Sequence, residues 1–329
     1  MDRRLAAKTL GGILGTPLLG LLGQPASAQA DPPLTIVVPY APGGTSDMLG
    51  RLLAQGLAAP LSRNVIVENR PGAGSTVGAA YVARAAPDGH TLLLATSSTL
   101  AINPSLYPAL PYDPLKDFVP IGMIASVPLA LVVNPSVNAR DVSELVSLAK
   151  GRSGGLSYGS AGNGSPQHLA AEMFRAATGV ELRHVPYAGS AAALTDVLGG
   201  HVDMMFVDLA PALGHVRSKR LNALGVTSLA RQPTLPDVPT IADSGMTELA
   251  RFEAVAWQGL VAPAGTPRAV VDRLNRLLVE MLDRASVREA LQRDGVEPRS
   301  SSPEQLAAAI RSDTDRWARV IKAARISIG

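Results

Sequence analysis

The stretch "PYAPGGTSD", Pro39 to Asp47, follows the apolar run "LTIVV" and precedes "MLGRLLAQGLAAPL". The run is short and continuous, as a buried strand is; the later stretch repeats its leucines at helical spacing. Between them stand two prolines, two glycines and three small polar or acidic residues. That is bare backbone at the mouth of a helix. The unit recurs in "LSYGSAGNGSPQHLAAEMF", Leu156 to Phe174, again strand, Gly/Ser/Asn loop and helix. Strand, glycine-rich loop and helix in that order are the building unit of an α/β protein with largely parallel sheets.

The rest of the chain alternates in the same way. "VIVEN" and "TLLLATSS" read as strands, and "STVGAAYVARAA" as a helix opened by Ser75. "GMIASVPLALVVNPS" reads as two strands with a turn near Val127-Pro128. A second set begins near residue 135. "DVSELVSLAKG" is a helix with Asp141 as its N-cap, and "PQHLAAEMFRAATG" a helix stopped by Gly179. "LRHVPY", "VDMMFVD" and "LNALGVTS" are strands, with "SAAALTDVLGG" and "APALGHVRSK" as helices between them. From about 240 the chain returns to the first set with "AWQGLVAPAG" and three helical segments around 267–282, 286–294 and 303–323. With 329 residues, two units are expected. They divide as residues 29–132 with 239–329, and residues 133–238 inserted between. Two crossings, near 130–138 and 228–240, then form a hinge. The proline-rich "RQPTLPDVPT" suits the return crossing.

The first 28 residues stand apart. Arg3, Arg4 and Lys8 precede the apolar "LGGILGTPLLGLLG", and Ala26-Ser27-Ala28 is a small-x-small cleavage site. This predicts a secretory signal with cleavage after Ala28 and a periplasmic location; Arg3-Arg4 hints at twin-arginine export. The apolar core is too short and glycine-rich for a membrane anchor. Removing three cations and one aspartate lowers the formal charge from +3 to +1. No basic cluster interleaved with aromatics remains, which argues against nucleic acid as a partner. There are no cysteines, so disulfides, thiolate metal sites and a cysteine nucleophile are excluded.

Helix N-termini carry unpaired amide groups and partial positive charge, and glycine lets an anion come close to them. Two such mouths, one per unit, suit a small molecule with one or two carboxylates. Neither loop holds Arg or Lys, so recognition would rest on amides, hydroxyls and bridging water. One carboxylate is expected at Gly43-Gly44-Thr45, and the far end of the ligand at Ser160-Ala161-Gly162. Thr45 and Ser46 are hydroxyl donors or caps. Asp47 reads as complementing the helix dipole, with a hydrogen bond to a ligand amine or hydroxyl as the alternative.

The chain resembles the substrate-binding components of tripartite tricarboxylate transporters, the Bug-type periplasmic receptors. "PYAPGGTSD", "ENRPGAGSTVGA", "PDGHTLLLATSS", "YGSAGNGSPQHLAAE", "VPYAGSAAALTDVLGGHVDMMF", "LPDVPT" and "WQGLVAPAGTP" carry the likeness in order, over nearly the whole mature chain. The resemblance implies a two-lobed periplasmic-binding-protein (Venus flytrap) fold, second lobe inserted in the first, that closes on a small carboxylate and presents it to inner-membrane permease subunits. It implies ligand contacts from Tyr40, Pro42, Gly43, Gly44, Thr45 and Asp47, and from Ser97 and Ser98. In the second lobe it implies Ser160, Ala161, Gly162, Asn163, Ser165, Tyr187, Gly189 and Asp208. Ser190 departs from the pattern, which has Gly there. His168 lies inside its helix and reads as orienting the loop. A monomer is expected, and no cofactor or metal.

Enzyme readings are weaker. "GRSGG", Gly151 to Gly155, matches G-x-S-x-G but has a helix before and a strand after, the reverse of a nucleophile elbow. "GAGSTVG" lacks the acidic residue that a dinucleotide loop needs about 20 positions on. His90, His168, His184, His201 and His215 show no metal-ligand spacing. Trp257 and Phe252 read as packing residues. A secreted enzyme on the same scaffold would enlist Asp47, or His168 with Ser165, as base and nucleophile. A receptor that signals to a sensor kinase is the other alternative. The sequence does not rank tricarboxylates, dicarboxylates, acidic amino acids and aromatic acids as ligands, beyond a lean to aliphatic acids.

Overall fold

A computed structural model describes residues 32–323 and 326–327. The predicted export segment lies outside them. In chain order the elements are β1 (Leu34–Val38), α1 (Thr45–Leu61), β2 (Val65–Asn69), α2 (Thr76–Ala83), β3 (Thr91–Thr96), α3 (Asn103–Leu106), β4 (Phe118–Val133) and α4 (Val142–Gly151). Then come β5 (Leu156–Ser160), α5 (Pro166–Thr178), β6 (Leu182–Pro186), α6 (Ser190–Leu198), β7 (Met204–Asp208), α7 (Leu209–Arg217) and β8 (Asn222–Val226). The chain closes with β9 (Val255–Pro263), α8 (Arg268–Leu282), α9 (Ala285–Arg293), β10 (Glu297–Pro298) and α10 (Pro303–Ala323).

The strands lie in the order β2-β1-β3-β9-β4-β7-β5-β6, with β8 and β10 pairing to β4. β1, β2 and β3 are parallel, and β9 runs antiparallel between β3 and β4. In the other half β5 is parallel to β6 and β7, while β4 is antiparallel to β7 and β8. The sixteen-residue strand β4 belongs to both halves. The turn expected at Val127-Pro128 is absent: the chain runs straight through. Pro128 is the last residue of β4 paired with β9, opposite Val255, and Leu129 begins the pairing with β7. A missing N–H is tolerated at such a change of partner. Strand β3 stops at Thr96, before the expected Ser98, and Ser98–Ile102 form a wide π turn.

Each half is a sheet with helices on both faces, because residues alternate across each strand. In the first half Leu34, Ile36 and Val38 pack on Leu49, Leu53 and Leu57 of α1 and Leu274 and Leu278 of α8. Val37 and Leu93 point the other way, toward Leu306, Ile310 and Trp317 of α10. In the second half Leu129, Leu131 and Val133 join Tyr158, Phe174 and Phe206, whereas Ala130 and Val132 join Leu194, Val197 and Leu213. Ile241, Leu249, Phe252 and Ala254 pack with the second half. The chain therefore re-enters the first sheet at Val255, later than residue 239. The strands β4 and β9 pass between the halves side by side, with Thr227 Oγ1 donating to Ala254 O at 2.7 Å and accepting from Leu129 N at 2.9 Å. Trp257 and Phe252 are packing residues: Trp257 Nε1 donates to Asp313 Oδ2 at 2.6 Å, and Phe252 meets Phe174 edge-on.

Candidate functional site

The cleft between the halves is shaped by glycine-capped helices. Helix α1 begins after Gly44 and α6 after Gly189, and no side chain caps either one. Their first-turn amides are thus left for a ligand. The two mouths touch: a Cβ at Gly44 would sit 2.6 Å from Ser190 Oγ, and one at Gly189 3.1 Å from Ala41 Cβ. Ala41 N donates to Ala188 O across the gap. Helix α5, the mouth singled out by sequence, is closed by its own cap, Ser165 Oγ accepting from His168 N at 3.3 Å. The partner of the first mouth is α6 instead.

The cleft holds about 430 Å³ of empty space, part of it open to solvent. Tyr40, Gly44, Thr45, Ala161 and Asp208 line it with Ser46, read from sequence as a hydroxyl donor or cap, together with residues not foreseen: Thr96, Gln167, Ser190 and Gln258. Gln258 had a visible signal, a lone amide inside the apolar strand "VAWQGLVAP". Asp208 is the only side chain of opposite or like charge among the lining residues; no Lys, Arg or His is there. Tyr40 and Ala161 also border an adjoining cavity with Gly162, Asn163 and Tyr187 on one side and Gly74, Ser75 and Tyr107 on the other. There the halves meet again. Tyr107 OH donates to Asn163 O at 3.3 Å, and a Cβ at Gly74 would fall 2.0 Å from that same oxygen. Gly74 lies in a run of positive φ with Ala73 at 42° and Ser75 at 80°, conformations that cost a non-glycine residue about 1–3 kcal/mol.

Other sequence-predicted residues lie around the cleft, in different positions. Pro42 and Gly43 are exposed at its rim. Asp47 is turned into the loop: it accepts from Gly43 N at 3.1 Å, Arg51 Nε at 3.0 Å and Asn69 Nδ2 at 3.0 Å. Burial pushes its carboxyl up, but Arg51, the Gly43 amide and Asn69 outweigh this and hold it below the usual range. Asn69 also donates to Tyr40 O, so Asp47 and Asn69 together fix the loop. Ser97 and Ser98 are buried, Ser98 beside the Tyr40 phenol. Burial raises the Tyr40 phenol, which meets Thr96 Oγ1 at 3.4 Å.

Ser160 is fully buried under the second-half loop. Its Oγ meets His184 Nε2 at 2.6 Å and accepts from Gly162 N at 3.1 Å. The His184 ring stacks on His168 at 4.3 Å and on Tyr158 at 4.8 Å. His168 Nδ1 accepts from Gly164 N at 3.1 Å, so this histidine does orient the loop. Burial lowers His168 to about 4; burial, then neighbouring His168, lowers His184 to about 3. Both rings are neutral acceptors or donors at ordinary pH. Among the described residues no group of three or more His, Cys, Asp or Glu could hold a metal ion.

A two-lobed α/β scaffold with paired helix mouths over a cation-free cleft defines a solute-binding protein of the periplasmic type. The chain belongs to the tripartite tricarboxylate transporter receptor family, whose pattern it matches over residues 49–326. It is similar to the periplasmic binding protein BugD, with 37% identity and a TM-score of 0.85 over 90% of this chain and 98% of that one. An R. palustris protein solved with adipate gives 36% identity and a TM-score of 0.86 over 89% and 97%. MatC from Rhodopseudomonas palustris with bound malate gives 33% and 0.83 over 88% and 98%. Among the described residues no helix is long and apolar enough to cross a membrane.

Proposed function

We propose that this chain is an exported, non-catalytic receptor that captures a small carboxylate in the cleft and hands it to the inner-membrane permease subunits of a tripartite tricarboxylate-type transporter, working as a periplasmic monomer. The observation that carries the reading is the meeting of two helix mouths, α1 and α6, each opened by glycine and left uncapped. With no lining cation, a carboxylate has these amides as its positive counterpart. The acids bound by the two R. palustris proteins support that ligand class. The ligand would favour the closed arrangement by bridging both mouths.

The groups that a hydrolytic reading needs are committed elsewhere. Ser165 caps α5, His168 Nδ1 takes the Gly164 amide, and Asp47 is held by Arg51 and Asn69. Ser160 and His184 stand at bonding distance, but Ser160 is fully buried and His184 is a very weak base. The test is thermal shift of the periplasmic chain against mono-, di- and tricarboxylates. A ligand at 100 times its Kd stabilises by about 2.7 kcal/mol. A shift with unchanged ligand on recovery is expected; no shift with any acid, or conversion to product, would refute the reading. Loss of uptake of that acid in a strain lacking the chain tests delivery.

A further inference from the structure

The lining of the cleft carries an imbalance that a plain carboxylate does not resolve. Its one charged side chain is an acid, Asp208, 7% exposed at the end of β7. Gln167 Nε2 donates to Asp208 Oδ1 at 2.9 Å, which fixes the Gln167 amide beside the carboxylate. The oxygen of that amide, Gln167 Oε1, is buried without a partner, and so is Gln258 Oε1. Both glutamines are 4% exposed and both line the cleft with Asp208. Buried acceptors without donors are costly, and native proteins rarely leave them so. A carboxylate brings only further acceptors. Placed beside Asp208 it also brings like charge, with no cation in the lining to offset it. Burial already pushes the Asp208 carboxyl up, although Thr45 and Gln167 act against this. What the three acceptors lack is one compact group with several N–H donors and a positive charge. A ligand ammonium supplies three donors and the charge.

We propose that the ligand is a small amino acid, its carboxylate at the α1 and α6 mouths and its ammonium held by Asp208, Gln167 Oε1 and Gln258 Oε1. This rests on the receptor reading of the cleft and names its substrate class. Asp208 is then a specificity residue: it selects for the amine and against the same acid without it. Rejection is stronger than preference, because the amine-free acid leaves the acceptors unpaired and the carboxyl facing like charge.

The test is calorimetric titration of the periplasmic chain with three matched sets that differ at one carbon: alanine, lactate and propionate; aspartate, malate and succinate; glutamate, 2-hydroxyglutarate and glutarate. In the set that fits, the amino acid should bind at least 10-fold tighter than its hydroxy and unsubstituted partners. Asp208→Asn should collapse that ratio. Gln258→Leu, which keeps the Asp208–Gln167 pair, should reduce it, and melting curves check that both variants are folded. Should Asp208→Asn not fold, the wild-type ratio and Gln258→Leu still decide. Malate, succinate or glutarate binding as tightly as the amino acid, with Asp208→Asn indifferent, would overturn the amine assignment and leave the receptor reading standing. Absence of binding by every acid in all three sets would overturn the amine assignment, and the receptor reading falls with it only when the mono-, di- and tricarboxylate panel also gives no thermal shift.

Discussion

Gly44→Val should weaken binding without unfolding the chain. Gly44 has φ −96° and ψ 177°, extended backbone open to any residue, so a side chain there strains nothing locally. The conflict lies across the cleft. A Cβ would stand 2.6 Å from Ser190 Oγ but 4.0 Å from Ser190 Cβ. In Gly44→Ala the serine hydroxyl can turn aside, at about 0.5–1.5 kcal/mol for an off-rotamer side chain. In Gly44→Val the added methyls overpack the contact, at about 1–3 kcal/mol. Either penalty falls on the closed state alone, so for valine Kd should rise by about 5- to 150-fold. The unliganded melting point should change little, since a cap change from glycine is worth about 1 kcal/mol at most. Ser190→Ala removes the Oγ and should restore binding to Gly44→Ala, giving a positive coupling in a double-mutant cycle. Calorimetry with the best acid of the panel, beside melting curves, reads both. Gly44→Val binding at wild-type Kd would show that the loop is only a turn.

Three further outcomes are expected. His168 and His184 are neutral when folded and titrate near 6.5 when unfolded, so the unfolded chain binds more protons below pH 6.5. Stability should be full above pH 6.5 and fall toward pH 4, by about 3 kcal/mol for His168; His168→Asn should flatten the denaturant-midpoint profile, and an identical slope would refute this. Asp47→Asn breaks the Arg51 fork and the charge on the Gly43 amide, and should cost about 1–3 kcal/mol in denaturant unfolding; an unchanged midpoint would mean that the tether is idle. Tyr107→Phe deletes the hydrogen bond to Asn163 O between the halves and should weaken ligand binding by about 1 kcal/mol, leaving the unliganded melt alone; a lowered melt with unchanged Kd would place that bond in folding and not in closure.

The alternation of strands and helices was legible because each element carries its own period and its own start or stop, as Asp141 at the head of α4 and Gly179 at the end of α5 show. What escaped depends on contacts made far along the chain. Pro128 looked like a turn because a single sequence does not show that β4 changes partners there. The "SSTLAINPSL" segment carries no helical stripe, and its wide turn is held from outside, by Asn103 Nδ2 to Gly74 O at 2.9 Å and Tyr112 OH to Thr99 O at 2.6 Å. The two glycine-rich loops were readable as helix mouths. Which mouth opposes which was not, since α5 closes itself through Ser165 and α6 approaches Gly44 only in three dimensions. The His168–His184 stack joins residues of different elements, one on α5 and one on β6, and no spacing announces it. Gln167 and Gln258 were quoted within recognisable stretches, yet their unpaired oxygens exist only in the folded cleft.

The most direct measurement is a nuclear magnetic resonance titration of the amide-labelled chain with the best-binding acid. The account predicts that the largest shifts fall on the amides of Thr45 and Ser46 at α1 and of Ser190 and Ala191 at α6, saturating together at one Kd. Shifts confined to other surfaces, such as the groove behind β4 and β9 lined by Trp257, Arg299 and Arg316, would contradict it.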